Sequence, residues 1–316
     1  MFFQNFLLKY KSSSLRIVYY HIVSNKNPDY YFKNKAIDIS SFMDQINFFK
    51  KNFNIIKLSE ALKLSKENKS LDKKMVITFD DGFRENYDII APILLKEKIP
   101  ATFFFITDCI DNKNLMWRNK ILLFDIYKKN NFVKIIKNVA DEYNIKYTTD
   151  SILDWSYKFW PMKFKDDIAN RIWELVMPFN LEEYLEKNSP YCSTKQIYEL
   201  FESGFEIGSH SHTHPIFNKL NYDDFSYEII NSSNILSRII NKKVSFFSYP
   251  FGSRASNELE KKFIKLNSDN WIFLGTRNKL NNFSYNYNFW ERDSVEYNNL
   301  IMKFRFLLLP TIRSIV

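Results

Sequence analysis

The sequence predicts an α/β fold built on parallel strands. Short apolar segments alternate along the chain with segments whose apolar residues recur at helical spacing, which is the order of β-α-β units. One such apolar segment, Met75–Phe79 (MVITF), has the continuous apolar character of a buried strand. The length of 316 residues fits one large domain, or one domain that carries a sizeable insertion.

The individual elements follow from the apolar runs and from the residues that flank them. The expected strands are Leu15–Tyr20, Asn54–Lys57, Met75–Phe79, Thr102–Ile106, Phe205–Ile207, Val244–Ser248, Trp271–Leu274 and Phe289–Val295. Helices are expected around residues 42–49, from residue 59, around residues 87–97 and through residue 200. Ser193 and Gln196 form a capping-box pattern at the start of the last of these helices, and Gly204 follows its end.

Between about residues 112 and 190 the strand signal fades, and Lys, Asn, Trp and Phe become frequent. This region is predicted to be mainly helical and to form an insertion or lid within a single domain that spans residues 1–316. No internal repeat or disordered linker divides the chain.

Composition limits the classes of partner. Lys and Arg outnumber Asp and Glu by 45 to 36, which gives a net charge of +9. This surplus suits a solvated, lysine-rich surface, and it also suits contact with an anionic glycan or membrane. No Lys/Arg block or reader motif is present, so no nucleic acid is expected as a partner. Cys109 and Cys192 form no CxxC pair and are expected to be buried thiols rather than metal ligands.

The two ends of the chain bear on its location. The N-terminal stretch MFFQNFLLKYKSSS has no basic n-region or small-residue cleavage site, and no apolar run has the length of a transmembrane helix. A cytoplasmic location is therefore expected. The C-terminal stretch IMKFRFLLLPTIRSIV mixes apolar residues with Lys303, Arg305 and Arg313. That mixture suits peripheral contact with the anionic inner face of a membrane, whereas a terminal helix packed on the core is the simpler interpretation.

Three of the four histidines lie within five residues, at His210, His212 and His214. His210 and His214 are spaced i, i+4, so on a helical turn they share one face and both imidazoles can reach the same ion. His212 then falls on the opposite side and need not take part. A surface cluster that binds no metal is the alternative interpretation.

Two carboxylates, Asp80 and Asp81, directly follow the strand Met75–Phe79. Ligands and catalytic groups gather at this end of the strands in parallel α/β sheets and barrels. Two carboxylates in a turn are often only solvated, but here one can ligate a metal while the other accepts a proton from the activated water. Two histidines and one carboxylate leave positions open for water and substrate, a set that suits Zn(II) or Fe(II).

Three short motifs occur in a characteristic order: TFDDG at 78–82, HSHTHP at 210–215 and YPFG at 249–252. IPATFFF closes the unit after the first motif, and GFEIGSH leads into the second. With these motifs the sequence resembles the polysaccharide deacetylases of carbohydrate esterase family 4. The resemblance covers roughly residues 15–110 and 190–300 and leaves out the region expected as an insertion.

The resemblance implies a distorted (β/α) barrel and metal-assisted removal of acetyl groups from N- or O-acetylated sugars. By motif position, it implies that Asp80 is the catalytic base. It also implies that Asp81, His210 and His214 hold a divalent metal, with zinc as the first expectation and iron, cobalt or nickel as alternatives.

The third motif and the acid show departures from the family pattern. The resemblance implies that the backbone N–H of Phe251 donates to the developing oxyanion, with Tyr249 beside it in the substrate site. Many members carry an arginine in this motif that orients the base; this chain has Ser248 there, and Arg292 is the expected replacement, with a surface arginine as the alternative. Many members also use a C-terminal histidine as the acid. None follows residue 214 here, so His21 is expected to be the general acid or to line the site, with a packed core histidine as the alternative.

Together these features predict a carbohydrate N-deacetylase that uses a metal-activated water and an Asp base. The alternatives are a non-catalytic glycan-binding module of the same fold and an amidohydrolase that acts on a small non-sugar amide. A cytoplasmic enzyme does not reach polymer assembled outside the cell. The expected substrate is therefore an acetylated sugar in a precursor, such as a nucleotide sugar, an oligosaccharide or a lipid-linked glycan.

Overall fold

The computed structural model describes residues 15–32, 36–128, 130–148, 151–267, 271–276, 281 and 288–312, with side chains up to residue 306. The N-terminal stretch 1–14 and the C-terminal residues 313–316, which include Arg313, lie outside the described residues. The fold is therefore given from residue 15 onward.

All strands in the described residues belong to one sheet. They are β1 Arg16–Tyr20, β2 Asn54–Ile55, β3 Lys74–Phe79, β4 Thr102–Phe105, β5 Glu206–Ser209, β6 Phe246–Ser248, β7 Ile272–Gly275, β8 Phe289–Glu291 and β9 Asp293–Ser294. The order across the sheet is β8-β7-β6-β5-β4-β3-β1-β9, with β2 paired to the start of β3. Each pairing between these strands is parallel. The expected strand positions are confirmed, although β2 is shorter than expected because Lys57 already occupies the N-cap position of the next helix.

The sheet nearly closes into a barrel at Arg292. β8 pairs with β7 and β9 pairs with β1, yet β8 and β9 are consecutive stretches of one extended segment. Between them the backbone N–H of Arg292 donates to the carbonyl of Gly275 at 3.0 Å. The two edges of the sheet therefore meet in a single segment, which confirms the predicted distorted (β/α) barrel.

Helices alternate with the strands from β1 to β4 and from β5 to β7, and in the described part of the chain six helices lie between β4 and β5. They are α1 Ile39–Asn52, α2 Leu58–Lys66, α3 Ala91–Lys96, α4 Trp117–Tyr127, α5 Phe132–Glu142, α6 Ile152–Phe159, α7 Lys165–Val176, α8 Leu181–Asn188, α9 Thr194–Glu202, α10 Tyr222–Ile240, α11 Asn257–Leu266 and α12 Asn299–Ile312. A π-helical stretch, Asn86–Ile90, precedes α3. The capping box predicted for α9 is confirmed, because Ser193 and Gln196 each accept the other's backbone N–H.

Side chains along β3 alternate between two surroundings, as the two-residue period of a strand requires. Met75 and Phe79 pack against the helices outside the barrel, whereas Val76 belongs to the apolar cluster inside it. The same period continues through Thr78 to Asp80. The strand therefore carries the Asp80 carboxylate on the inner side, at the C-terminal end of the barrel.

The segment that closes the barrel follows the same rule. Trp290 lies in the apolar cluster inside the barrel. Arg292, two residues later, is also buried and continues on the inner face. Strand period and barrel closure thus direct an acidic and a basic side chain into the same interior.

The region predicted to be an insertion contains α4 to α8. Its apolar core includes Trp117, Trp155 and Trp173 and is continuous with barrel-loop residues such as Ile106 and Ile216. The helices therefore pack directly on the loops at the C-terminal end of the barrel. We keep the assignment of this region as an insertion within one domain as a proposal.

The last helix packs on the barrel. In α12, Met302 and Phe306 are buried, and the Phe306 ring lies 5.5 Å from that of Phe49 in α1. Among the residues that the structure describes, no helix has both the length and the apolar character needed to cross a bilayer. Cys109 and Cys192 are both buried free thiols, as expected.

Candidate active site

A cavity of about 390 Å³ opens where the barrel strands end. Of the site residues expected from the sequence, its lining includes His21, Asp80, Asp81, His210, His214, Tyr249 and Phe251. The remaining lining residues are Tyr19, Tyr31, Phe32, Met116, Arg118, Asn119, Gly252, Thr276, Ser294 and Glu296. Groups that are far apart in the sequence thus share one pocket, as is usual at this end of a parallel barrel.

Asp81, His210 and His214 form a buried group with converging ligand atoms. Asp81 Oδ1 lies 3.2 Å from His210 Nε2 and 3.4 Å from His214 Nε2, and the two Nε2 atoms are 3.2 Å apart. Ligand atoms at about 2.0–2.1 Å from one tetrahedral zinc ion stand roughly 3.3 Å from each other. In the described part of the chain, no hydrogen bond satisfies the buried Asp81 Oδ1. The donor set and its spacing therefore fit a single divalent cation.

The protonation of the two imidazoles also suits metal binding. His210 Nδ1 lies 2.8 Å from the carbonyl oxygen of Ser248, which only accepts, so this contact places the proton on Nδ1 and leaves the Nε2 lone pair toward Asp81. Burial lowers the pKa of His214 to about 4, even though Asp81 acts in the opposite direction. The His214 ring can therefore present a neutral nitrogen to a cation near neutral pH.

The expected helical turn through the histidine motif is wrong. Residues 210–216 form a loop after β5, in which Ser211 and His214 adopt left-handed backbone conformations with φ of +71° and +57°. Ser211 Oγ accepts the backbone N–H of His214 at 3.0 Å. The folded loop, rather than helical geometry, brings the His210 and His214 rings to a centroid distance of 4.9 Å. His212 lies outside the metal group, with Nδ1 2.9 Å from a threonine hydroxyl.

A buried glutamate of α10 holds this loop from one side. Glu228 Oε2 accepts the backbone N–H groups of His212 and Thr213 at 2.7 and 2.8 Å, and Oε1 accepts the Thr213 hydroxyl at 2.5 Å. A carboxylate that accepts three donors fixes the backbone immediately before His214.

The helical region holds the loop from the other side. Lys165 Nζ donates to Thr213 Oγ1 at 2.7 Å, and the indole N–H of Trp117 donates to the carbonyl of His214 at 2.9 Å. Both donors are buried. The region that the sequence interpretation set apart from the motifs is therefore in direct contact with the candidate metal site.

Asp80 is paired with Arg292 inside the barrel. Arg292 Nη1 donates to Oδ1 at 2.8 Å and Nη2 to Oδ2 at 2.7 Å, while the same guanidinium also donates to the hydroxyls of Thr78 and Ser248 at 3.1 and 2.5 Å. Burial raises the pKa of Asp80, but the charge and hydrogen bonds of Arg292, together with other nearby groups, outweigh burial, and the pKa lies below its ordinary value. Asp80 is therefore an ionised carboxylate beside Asp81.

Arg292 is 1% exposed, so the alternative of a surface arginine is wrong. Ser248 occupies the motif position at which many relatives carry an arginine, and its hydroxyl contacts both Arg292 and Asp80. The guanidinium thus reaches Asp80 from another strand. The role of Arg292 in orienting the base stays a prediction.

His21, the residue after β1, forms a close pair with Glu296. Its Nδ1 lies 2.6 Å from Glu296 Oε2, and its backbone N–H donates to Oε1 of the same carboxylate at 2.6 Å. Burial alone would lower the pKa of His21, but the charge and hydrogen bond of Glu296 raise it to about 9. His21 is therefore a protonated imidazole at neutral pH, and it lines the same cavity as the metal group.

The third motif contributes a wall beside the metal group. Phe251 has a left-handed backbone (φ +56°), and its ring lies 4.4 Å from the His214 ring. Tyr249 also lines the cavity but is only 1% exposed, because its ring packs with Phe247 and Phe273. Its predicted contact with substrate and the oxyanion role of Phe251 stay predictions.

The sequence did not predict several of the side chains that contact the candidate site residues. Glu296 and Glu228 act through side chains that only the fold brings to His21 and to the histidine loop. No local pattern marks either residue. Thr78 lies inside the first motif, and the period of β3 could have placed its hydroxyl on the same side as Asp80.

The comparison with protein families identifies one family. The family model described as polysaccharide deacetylase matches residues 67–267, which is more than half of the chain. The matched span includes all three motifs and the helical region that lies between the first and the second.

Two curated relatives share the motif-bearing part. A poly-beta-1,6-N-acetyl-D-glucosamine N-deacetylase of Staphylococcus epidermidis is 32% identical over 122 residues, which cover 35% of this chain and 42% of the relative. The protein of the same name from Staphylococcus aureus strain MSSA476 is 35% identical over 118 residues, which cover 34% of this chain and 41% of the relative. The chain thus matches less than half the length of these relatives.

Two solved structures share the fold over most of the chain. The Streptococcus pyogenes deacetylase PplD, in complex with acetate, has a TM-score of 0.59 at 15% identity and covers 89% of this chain and 92% of its own. IcaB from Ammonifex degensii has a TM-score of 0.57 at 18% identity, with coverage of 90% and 92%. With the family model and the barrel in agreement, the chain belongs to the polysaccharide deacetylase family.

Proposed function

We propose that this protein is a metal-dependent carbohydrate N-deacetylase, a hydrolase that removes acetyl groups from N-acetylated sugars in a glycan or a glycan precursor. The observation that carries the proposal is the buried group of Asp81, His210 and His214 beside the ionised Asp80. The names of the curated relatives, which are N-deacetylases of an N-acetylglucosamine polymer, support the same chemistry.

The proposed roles follow from the contacts. A bound cation supplies Lewis-acid chemistry at this position and lowers the pKa of water. Asp80, held as a carboxylate by Arg292, accepts the proton of the attacking water. His21, protonated beside Glu296, returns a proton to the leaving amine. The backbone N–H of Phe251 donates to the developing oxyanion.

Zinc is the first choice of cation. Two imidazole nitrogens and one carboxylate oxygen match catalytic zinc sites that keep a position open for water and substrate. Iron, cobalt and nickel accept the same ligand types and are the alternatives.

Acetate release tests the proposal. Metal-loaded wild type and Asp80→Asn are compared on N-acetylglucosamine oligosaccharides, including the β-1,6-linked series, and on small cyclic amides. Loss of a general base is expected to lower kcat by about 10²–10⁴. Asp88→Asn, which changes an exposed carboxylate of the π-helical stretch that follows Asp80 in the chain, is the matched control.

Each other outcome points to one of the alternatives. Turnover of the cyclic amides alone would favour a small-amide amidohydrolase. Binding of the oligosaccharides without acetate release would favour a non-catalytic glycan-binding module. Either result would overturn the proposed deacetylase.

We further propose that the acetylated substrate is presented at a membrane, as on a lipid-linked glycan. Leu300, Ile301 and Phe304 of α12 are 77%, 60% and 57% exposed, and the chain has a net charge of +9. Exposed apolar side chains beside cations suit contact with anionic lipid. A cytoplasmic location belongs to this proposal as well.

Vesicle sedimentation tests the membrane contact. Binding is expected to phosphatidylglycerol vesicles but not to phosphatidylcholine vesicles, and the double change Leu300→Ser with Phe304→Ser is expected to weaken it. Leu266→Ser, at an equally exposed position of α11, is the control. Equal binding by the two variants would contradict the use of α12.

A further inference from the structure

Arg118, the second residue of α4, lines the cavity of the candidate metal site. Its guanidinium carbon lies over three aromatic rings, at 4.5 Å from the centre of Phe32, 4.8 Å from Phe251 and 5.6 Å from Tyr157. Cation–π contacts of this kind hold a guanidinium in place without using its N–H donors.

The guanidinium of Arg118 has no oxygen acceptor in the described part of the chain. Neither an ion pair nor a hydrogen bond joins it to another described residue, and its buried Nε is left without a partner. A buried donor with no acceptor is costly, so such a group in a binding cavity indicates an acceptor that arrives from outside the protein.

The other charges of the cavity are already matched. Asp80 is paired with Arg292, and Glu296 is paired with His21. Asp81 belongs to the candidate metal group. None of these carboxylates is therefore available to neutralise Arg118.

Arg118 and the candidate metal ligand His214 contact the same aromatic side chain. The Phe251 ring contacts both groups: its centre lies 4.8 Å from the guanidinium carbon of Arg118 and 4.4 Å from the centre of the His214 ring. The unpaired cation and a candidate metal ligand thus share one aromatic neighbour. A sugar with its acetamide at the metal group would place its own substituents, or those of the next unit, near Arg118.

We propose that Arg118 forms an anion subsite that recognises a phosphate or carboxylate group on the acetylated sugar or on its immediate neighbour. The inference rests on the proposed deacetylase function and names its substrate class. The planar fork of an arginine binds both anions through two parallel N–H donors. The rings of Phe32, Phe251 and Tyr157 keep that fork oriented.

Three monosaccharide probes test the subsite: methyl N-acetylglucosaminide, which is neutral, N-acetylglucosamine 1-phosphate, and N-acetylmuramic acid, which carries a carboxylate. Equilibrium binding to metal-loaded Asp80→Asn protein is measured, together with acetate release by wild type. We expect at least one anionic probe to bind about tenfold or more tightly than the neutral probe, the usual worth of a charge-assisted hydrogen bond. The two anionic probes separate phosphate from carboxylate recognition.

Arg118→Ala is expected to abolish the preference for the anionic probe, and Arg118→Lys to restore part of it. Arg238→Ala, which removes an exposed arginine of α10, is the matched control, and metal content and thermal unfolding confirm that each variant is folded. Equal binding of neutral and anionic probes by the protein with Arg118 intact would overturn the proposal. So would an equal loss for both kinds of probe in Arg118→Ala, which would indicate a structural arginine.

The measurements of binding and of turnover test the subsite proposal and the deacetylase proposal separately. If wild type releases acetate from no probe or oligosaccharide, the proposed function is wrong, but the binding measurement still decides whether Arg118 recognises an anion. If acetate is released without any preference for charge, the deacetylase proposal stands and the subsite proposal is wrong.

Discussion

Arg292 and Asp80 meet through two parallel hydrogen bonds, of 2.8 and 2.7 Å, although 212 residues separate them in the chain. Both side chains are almost fully buried, at 0% and 3% exposure. A bidentate pair in such a place restricts the geometry of the carboxylate and contributes to lowering its pKa. The pair is formed where the closing segment of the barrel faces β3.

Arg292→Ala is expected to lower kcat for acetate release by about a hundredfold and to destabilise the protein by about 3–5 kcal/mol, because it leaves a buried carboxylate without its cation. Arg292→Lys keeps a charge but loses the fork, so a smaller loss is expected. Steady-state kinetics and urea unfolding measure both effects. The double variant Asp80→Asn with Arg292→Met is expected to regain much of the stability. An Arg292→Ala protein as stable as wild type would contradict the pairing.

His210→Ala is expected to lose the bound metal, because it removes one of three converging ligand atoms. His212→Ala is the matched control, since His212 lies in the same loop but outside the metal group. Metal content per chain is measured by mass spectrometry after dialysis. Removal of the metal by a chelator is also expected to lower the melting temperature of wild type and to leave that of His210→Ala unchanged. Full metal occupancy in His210→Ala would refute the ligand assignment.

Glu228→Gln is expected to weaken metal binding by about 10–100-fold, the range for residues that orient ligands. The change removes the charge that accepts three donors from the histidine loop. Competition with a chromophoric chelator gives the metal affinity. Asp223→Asn, an exposed acid in the first turn of the same helix, is the control. Unchanged affinity in Glu228→Gln would show that the loop does not need this anchor.

Glu296→Gln is expected to move the alkaline limb of the kcat/KM profile downward by roughly two pH units. An acid must be protonated to act, and Glu296 raises the pKa of His21 to about 9 from its ordinary 6.5. Without that carboxylate, the opposing effect of burial weighs more and the pKa of His21 is expected to fall. Activity of wild type is thus expected to fall as the pH rises through about 9.

The pair of His21 and Glu296 also stabilises the folded protein, and this stabilisation is expected to decrease as the pH rises. Because the folded-state pKa of His21 is raised, its contribution is complete below pH 6.5 and is lost as the pH rises to about 9. Urea unfolding across this pH range, in wild type and Glu296→Gln, measures the difference. Identical pH–rate profiles for the two proteins would argue against His21 as the acid.

Gly82→Ala is expected to destabilise the protein by about 2–4 kcal/mol, because it combines a left-handed backbone with a clash. Gly82 has φ of +70°, and an added Cβ would lie 2.5 Å from a ring carbon of Phe105 and 3.3 Å from its Cα. Gly204→Ala is the control, because Gly204 also has positive φ but has no heavy atom within 4 Å of an added Cβ. It is expected to cost about 1 kcal/mol. Equal destabilisation in urea would contradict the packing argument.

The strands and most helices could be predicted from sequence because their signals are local. An apolar run such as Met75–Phe79 is long enough to identify a buried strand, and Ser193 with Gln196 marks the start of α9. The histidine loop shows the limit of such signals. The spacing of His210 and His214 predicts a shared face only if the backbone is helical. In the structure the backbone forms a loop with left-handed residues, and Glu228 of the following helix accepts hydrogen bonds from it.

The sequence alone determined the order of the strands, the family, and the types of residue at the strand ends, because local periodicity and short motifs encode them. Only the tertiary structure decided which of these groups pair. Asp80 with Arg292 and His21 with Glu296 join residues that are 212 and 275 positions apart in the chain, and the pairs exist because β8 and β9 close the barrel. The unpaired Arg118 has the same origin, since its surroundings come from three distant segments. Packing between residues far apart in the chain brings these charges together, so no local sequence pattern predicts the pairs.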